Sequence, residues 1–141
     1  MNAAQVRIRA GGEQYALAVE HINEVTDVGE LTPVPGTADS VLGLRNVNGE
    51  IVPVFDLAKV LGIEHDGRRS EFGQRRLLVA ECNGQRAAFA VDEVIDVAPI
   101  DGAMQDSESR HLLASTVIDG AMVGVLAVDA LFDSIAPEVQ Q

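Results

Sequence analysis

Alternation of apolar and polar residues dominates the start of the chain. The apolar residues of 6–10 alternate with arginines, a Gly-Gly pair stands at 11–12, and the alternation resumes over 15–19. A period of two places successive side chains on opposite faces of a strand, and a Gly-Gly pair supplies the positive φ angles that a tight turn requires. The pattern therefore predicts a β-hairpin.

The same arrangement occurs again about 72 residues further along the chain. Residues 19–25 and 91–97 both read apolar, acidic, polar, apolar, any residue, acidic, apolar. Apolar residues at positions i, i+3 and i+6 predict a helical turn after each hairpin. The agreement indicates an internal repeat; the alternative is a chance likeness between ordinary hairpins.

Two further turns support the repeat. An Asn-Gly pair at 48–49 and an Asp-Gly pair at 119–120 lie 71 residues apart, and an apolar strand follows each pair. Both dipeptides favour a two-residue hairpin turn whose central residues have positive φ. We predict two related β units, at 6–62 and 75–133, that share one hydrophobic seam within a single domain of residues 1–141.

Single residues refine the predicted strands and cores. Pro53 cannot donate to a strand ladder, so it predicts an edge strand or a bulge. Asp56 can cap a short helix, and Gly62 can take the position after the end of that helix. We expect one core to contain Ile8, Leu17, Val19, Val52 and Val54, and the other core to contain Phe89, Val91, Val123 and Val125.

The charge of the chain narrows the classes of partner. Its 141 residues include 10 Lys and Arg against 22 Asp and Glu, which is a net charge of −12. A field of this sign repels phosphate groups, so we expect no nucleic-acid partner and no anionic membrane surface. No apolar run reaches membrane-spanning length, and the N-terminus lacks the apolar region of a secretory signal. We expect a cytoplasmic protein without membrane insertion that is a monomer when alone.

Residue types that catalyse reactions or bind metals form no recognisable motif. His21, His65 and His111 lack metal-ligand spacing, and no serine stands in a nucleophile-elbow context. Cys82 is the single cysteine, which excludes a disulfide framework, and its place beside a predicted turn indicates a structural role. We therefore predict no catalytic residue, no metal site, no cofactor and no enzymatic activity.

A longer series of motifs runs through most of the chain. In order, they are GEQYAL at 12–17, INEV at 22–25, TPVPGTA at 32–38, GLRNVNGEIVPVFDL at 43–57 and AAFAVDEV at 87–94. In these segments the chain resembles the CheW-like family, the adaptor proteins of bacterial chemosensory arrays. The resemblance covers about residues 5–133, and its most specific part is the Val-Pro-Gly followed by the Pro-apolar-apolar-Asp-Leu tail.

The resemblance implies a mainly β fold of two small five-stranded SH3-like barrels, packed on each other, with short helices. It leaves open which unit receives the outermost strands. It also implies a non-enzymatic scaffold that couples the hairpin tip of a chemoreceptor to the regulatory domain of a histidine kinase. The alternatives are a diverged adaptor of a pilus-type or other chemosensory pathway, and a β-barrel that binds a small ligand.

The resemblance also implies which residues meet partners, by position. Asn48 stands where the family has an arginine, and Arg45 stands at a usually apolar position. Asparagine offers a donor and an acceptor but no charge, so ordinary receptor coupling would be altered. The implied partner-binding residues are Ile22, Glu24, Gly43, Asn46, Val47 and Asn48.

Overall fold

Eleven strands in two sheets make up most of the described chain, which in this computed structural model comprises residues 4–63, 75–99, 105–106 and 111–139. A 3-10 turn covers Val19–His21, and the two helices are α1 (Leu57–Val60) and α2 (Val128–Val139). The strands are β1 (Ala4–Ala10), β2 (Glu13–Ala18), β3 (Ile22–Asp27), β4 (Val41–Val47), β5 (Glu50–Asp56), β6 (Arg76–Cys82), β7 (Gln85–Val91), β8 (Glu93–Pro99), β9 (Gln105–Asp106), β10 (Leu112–Ile118) and β11 (Ala121–Leu126).

The two sheets have the same strand order when each strand of one predicted unit is matched with its counterpart in the other unit. One sheet runs β8-β1-β2-β11-β10-β9, and the other runs β3-β6-β7-β5-β4. Apart from the two-residue β9, the hairpin β1–β2 occupies in the first sheet the place that β6–β7 occupies in the second. Each predicted unit therefore contributes its first hairpin to the sheet that holds the remaining strands of the other unit. This exchange is the arrangement that the sequence left open.

The expectation of a mainly β fold with two sheets and few helices is confirmed, but closure into SH3-like barrels is not. In the five-stranded sheet no ladder joins the end strands β3 and β4 within the described ranges. Two backbone hydrogen bonds of 2.8 Å, between Thr32 and Leu44, instead join β4 to the segment that follows β3. The two ends of this sheet therefore approach each other without forming a continuous barrel.

The largest apolar cluster joins the two sheets. Ile8 and Leu17 of the six-stranded sheet share it with Phe89 and Val91 of the five-stranded sheet, and half-buried Val19 packs against it. Helix α2 lies on the same cluster through its apolar face. The predicted hydrophobic seam is thus the main core, because each hairpin inserts into the sheet of the other unit.

A second cluster lies on the other face of the five-stranded sheet and contains Val52 and Val54. Val123 and Val125 are also buried, but Val123 belongs to a small third cluster. The predicted grouping of the two valines of β5 with Ile8 is therefore wrong, although the burial of these residues is confirmed. The exchange of hairpins separates them, since β1 and β5 belong to different sheets.

The predicted turns and the helix cap are confirmed. Asn48 has φ 53° and Asp119 has φ 50°, as two-residue hairpin turns require. The Asp56 side chain accepts a hydrogen bond of 3.1 Å from the Ala58 amide at the start of α1. Gly62 follows this short helix with φ 75°. Each of these features depends on residues that are close in sequence.

Two local predictions are wrong. The 3-10 turn after β2 has no counterpart after β7, because the Asp92 amide donates to the Arg9 carbonyl (2.9 Å) and the chain continues directly into β8 beside β1. Strand β5 lies inside its sheet, so Pro53 is not on an edge strand, and the irregularity of the β4–β5 ladder falls beside Pro53, between Val41 and Gly43, and not at the proline itself. The β5–β7 ladder begins only at Val54, one residue after this proline. On the side that faces β7, Pro53 has no strand partner, so its missing N–H group costs no ladder hydrogen bond there.

Candidate functional site

The six predicted partner-binding residues lie on β3, on β4 and in the β4–β5 turn. Four side chains reach the surface wholly or in part, namely those of Ile22, Glu24, Asn46 and Asn48. Val47 is only 5% exposed and packs in the second cluster. A side chain at this position of β4 is thus directed to the core, while its chain neighbours Asn46 and Asn48 are exposed.

Gly43 has a backbone role in this arrangement. Its φ is 147°, and a Cβ atom added there would lie 2.6 Å from the Thr32 carbonyl oxygen. Only glycine permits β4 to approach the segment after β3 closely enough for the Thr32–Leu44 bridge. Gly43 therefore holds the two ends of the five-stranded sheet together.

The structure brings two of the predicted residues into direct contact. The Asn48 Nδ2 atom donates a hydrogen bond to the Glu24 Oε2 atom at 3.3 Å, which joins the β4–β5 turn to β3. Asn46 stabilises the same turn, because its Oδ1 atom accepts from the Gly49 amide at 2.8 Å. The amide of Asn48 orients the Glu24 carboxylate but does not neutralise its charge.

Arg45 forms a parallel link between the same two strands. Its Nη2 atom donates to the Asp27 Oδ1 atom at 3.2 Å. The guanidinium group lies against Gly29, where an added Cβ would come within 2.7 Å of the Arg45 Nε atom. This residue, noted in the sequence as unusual, thus helps to hold β4 against β3 and the loop that follows it.

Beside this hairpin lies an open groove of about 560 Å³. Its most exposed apolar residue is Ile51, at 60% exposure, which pairs directly with Asn46 across the hairpin. Sequence reasoning missed Ile51, although its alternation with the buried Val52 and Val54 was a usable signal. We call this surface the hairpin groove; it is lined by Glu30, Thr32, Leu44, Arg45, Asn46 and Ile51.

The hairpin β10–β11 carries a matching exposed pair. Val117 and Met122 pair directly across this hairpin and are 61% and 66% exposed. They stand 71 residues after Asn46 and Ile51, the spacing of the predicted repeat. A smaller groove of about 160 Å³, lined by Met122, Tyr15 and Gly124 among others, lies beside Met122. The two hairpins therefore present different chemistry at equivalent places, polar and apolar in one and wholly apolar in the other.

The chain is similar in sequence and in fold to proteins of one family. A family model described as the CheW-like domain matches residues 5–136. The chain belongs to the CheW-like family. It is 30% identical to the chemotaxis protein CheW of Thermotoga maritima over 134 residues, which cover 87% of this chain and 84% of that protein. The crystal structure of the scaffolding protein TtCheW from Thermoanaerobacter tengcongensis matches with a TM-score of 0.83 and 27% identity, over 94% of this chain and 88% of that one.

The chain is also similar to two proteins that do not carry the CheW name. Protein PilI of Pseudomonas aeruginosa is 34% identical over 98 residues, which cover 68% of this chain and 53% of PilI. Protein FrzA of Myxococcus xanthus is 27% identical over 122 residues, which cover 79% of this chain and 72% of FrzA. The recognition made from the sequence motifs is thus confirmed, and the family is one of scaffold adaptors.

Cys82 and His111, two of the reactive residues noted in the sequence, make structural contacts in the described part of the chain. Burial, with smaller effects from Asp129 and Asp133, raises the pKa of the Cys82 thiol and so lowers its reactivity. The His111 Nε2 atom lies 2.7 Å from the Ser134 Oγ atom and ties the start of β10 to α2. His65 lies outside the described residues.

Metal binding and membrane insertion find no site in the described part of the chain. Across 4–63, 75–99, 105–106 and 111–139, no group of three or more His, Cys, Asp or Glu side chains is placed to hold a metal ion. Neither helix there has the length and apolar character needed to span a membrane.

Proposed function

We propose that the chain is a non-enzymatic scaffold that couples the cytoplasmic hairpin tip of a chemoreceptor to the regulatory domain of a histidine kinase. The likeness of the whole fold to the scaffolding protein TtCheW, with a TM-score of 0.83 over 94% of the chain, carries this proposal. The family match over 5–136 supports it. In this role the protein works in the cytoplasm, needs no cofactor and is a monomer when alone.

The receptor would meet the end of the five-stranded sheet. Ile22 offers an apolar contact, and Glu24 and Asn48 offer adjacent polar contacts that are already held in place by their mutual hydrogen bond. An amphipathic helix needs this combination, because its apolar face enters a groove while polar side chains fix its register. In this proposal Gly43 and Val47 act by shaping β4, and Asn46 borders the contact.

The kinase domain would dock as a related β-sheet fold. Strand β8 is an edge of the six-stranded sheet, and its Val97 is 57% exposed. An exposed strand edge can accept a strand of a partner through backbone hydrogen bonds. In this proposal the kinase and receptor contacts lie on different sheets, which leaves each surface open while the other is occupied.

A second candidate is the same scaffold function in another chemosensory pathway. The specific observation in its favour is the 34% identity to PilI over 68% of the chain. FrzA, at 27% identity over 79% of the chain, adds support. Binding to kinases from different pathways of one source organism would separate the two candidates, since each scaffold should prefer one kinase.

The alternative of a small-ligand-binding barrel finds less support. The inner face of the five-stranded sheet is filled by packed side chains, including those of Val52, Val54, Leu77 and Val79. Both grooves described above are open surface features. A helix or a strand of a protein partner suits such surfaces better than an enclosed small molecule does.

Reconstitution tests the proposed function directly. The full chain is mixed with a purified histidine kinase and with a soluble receptor signalling fragment, and complexes are measured by analytical ultracentrifugation and kinase autophosphorylation. We expect binding to each partner alone and a ternary complex in which autophosphorylation responds to the receptor fragment. A folded chain that binds neither partner from any chemosensory pathway of its source would contradict the proposal. Asp133→Asn, on the exposed side of α2, is the matched control that should change nothing.

A further inference from the structure

The hairpin groove has an apolar centre that faces solvent. Ile51 is 60% exposed, and Leu44 and Thr32 line the groove beside it. An isoleucine that is exposed to this degree on a hairpin suits contact with a partner helix that presents apolar residues at every third or fourth position. The volume of about 560 Å³ accommodates several side chains of such a helix.

Acidic groups surround this apolar centre. Two guanidinium groups of the strands around the groove are already paired, Arg45 with Asp27 and Arg86 with both Glu50 and Glu81. The hydrogen bond that Arg86 donates to the Glu81 carboxylate, with the charge of Glu50, raises the pKa of Arg86, as expected for a paired cation. These two cations are therefore compensated by acids of the chain itself.

Two carboxylates, Glu30 in the lining of the groove and Glu24 beside it at the β4–β5 turn, have no cationic partner in the described part of the chain. Glu24 receives a hydrogen bond only from the neutral amide of Asn48. Glu30 lines the groove and makes no ion pair with any described residue. A partner that covers them must supply positive charge, because burying an unpaired carboxylate is costly.

We propose that the hairpin groove selects a partner helix whose apolar face is flanked by lysine or arginine and rejects one flanked by acidic residues. The inference rests on the proposed adaptor function, in which that helix belongs to the receptor tip. Glu24 and Glu30 are the specificity-determining residues, and Asn48 is a positioning residue that holds the Glu24 carboxylate. Selectivity arises because an acidic flank would face two uncompensated carboxylates at short range.

The experiment uses the full chain and two synthetic antiparallel helical hairpins with the same apolar face. One peptide carries lysine at the flanking positions and the other carries glutamate. Fluorescence anisotropy at low and at physiological salt measures both affinities. We expect the lysine peptide to bind at least about tenfold more tightly at low salt, with a smaller ratio at higher salt because ions screen exposed charges. Equal binding of both peptides would overturn the proposal.

Matched variants separate the groove from the general charge of the chain. Glu24→Gln combined with Glu30→Gln should reduce the tenfold preference to about twofold or less, as expected when exposed ion pairs are removed. Asp129→Asn combined with Asp133→Asn makes the same change of net charge on the exposed side of α2 and should leave the preference intact. An equal loss in both double variants would mean that the total charge, and not the groove, selects the peptide.

A second matched pair locates the binding surface. Ile51→Asn should lower the affinity for both peptides about tenfold or more, because the loss of one apolar side chain buried by the helix has an effect of about this size. Met122→Asn, at the equivalent place in β10–β11, should change neither affinity. A stronger effect of Met122→Asn would place the helix on the other hairpin and overturn the proposal. If the chain discriminates between the peptides but binds no kinase or receptor fragment, only the adaptor function is contradicted. If it binds those partners but does not discriminate between the peptides, only the selectivity of the groove is contradicted.

Discussion

The Asn48 amide and the Glu24 carboxylate meet at 3.3 Å across the gap between β4 and β3, the two end strands of the five-stranded sheet. This contact makes the β4–β5 turn part of the same surface as β3. Asn48 is thus a neutral partner that holds the Glu24 carboxylate in place. The carboxylate keeps its hydrogen bond, and it keeps its charge for a partner.

Replacing Asn48 with arginine should neutralise Glu24. We expect Asn48→Arg to weaken the lysine-flanked peptide several-fold and to tighten the glutamate-flanked peptide, since a cation beside Glu24 reverses the local charge. Asn83→Arg is a close control, because Asn83 has the same φ of 53° and is also followed by glycine in its turn. Titration of both variants at two salt concentrations checks the prediction. Tighter binding of the lysine peptide by Asn48→Arg would contradict it.

Gly43→Ala should destabilise the fold through the junction of β4 with the loop after β3. The added Cβ would lie 2.6 Å from the Thr32 carbonyl oxygen, at a φ of 147°. We expect a loss of about 2–4 kcal/mol in the free energy of unfolding, from backbone strain and the broken bridge together. Gly120→Ala is the control, since its φ of 81° is also positive but open space surrounds it. Urea denaturation of both variants gives the comparison; equal losses would mean that the clash contributes nothing.

Truncation of Phe89 should affect both sheets together. Its side chain is fully buried, and its ring centroid lies 6.0 Å from those of Phe55 and Phe132. We expect Phe89→Ala to cost about 3–5 kcal/mol and Phe89→Leu clearly less, because the cavity is smaller. Calorimetry should show one transition at a lower temperature in each case. Two separate transitions would show that the sheets unfold independently and that the shared cluster does not couple them.

Alkaline pH should lower the stability of the folded chain through Cys82 and Tyr15. Burial raises the pKa of the Cys82 thiol above its ordinary value of 9.0, and burial, with a smaller effect of Glu13, raises the pKa of Tyr15 above 10.0. Between the ordinary and the raised pKa the unfolded chain has lost a proton that the folded chain retains, so the free energy of unfolding falls as pH rises above about 9. Below that pH neither group contributes a pH dependence.

Denaturation at pH 7 and at pH 9.5 measures this effect. Cys82→Ala should remove part of the decline, and the double variant with Tyr15→Phe should remove more. In the same experiment a thiol reagent should modify Cys82 quickly only after unfolding, because the buried thiol is both protonated and inaccessible. Rapid modification of the folded chain at pH 7 would contradict the assignment of Cys82 as a structural residue.

Features that depend on neighbours in the chain could be predicted from the sequence. The turn at Asn48, the turn at Asp119 and the cap that Asp56 provides for α1 all agree with the structure. Each is governed by the conformational preference of one or two residues and by hydrogen bonds within the same short segment. The ordered motifs that identified the CheW-like family are local in the same sense.

The pairing of strands depended on contacts that local patterns do not contain. Strand β7 is buried on both faces, with Phe89 in the cluster between the sheets and Ala88 and Ala90 in the cluster inside its own sheet. A strand that is apolar on both faces can satisfy its burial in more than one place, so alternation alone does not say which sheet receives its hairpin. The exchange of hairpins follows from how the apolar faces of distant segments fit together.

The candidate site shows the same division. The sequence motifs placed Glu24 and Asn48 among the residues expected to meet partners, and the period-two pattern was sufficient to turn Val52 inward and Ile51 outward. The contacts of Asn48 with Glu24 and of Arg45 with Asp27, beside the groove, required the two ends of the five-stranded sheet to come within hydrogen-bonding reach. Twist accumulates over every strand between the two ends, so these contacts are a property of the folded sheet and not of either segment.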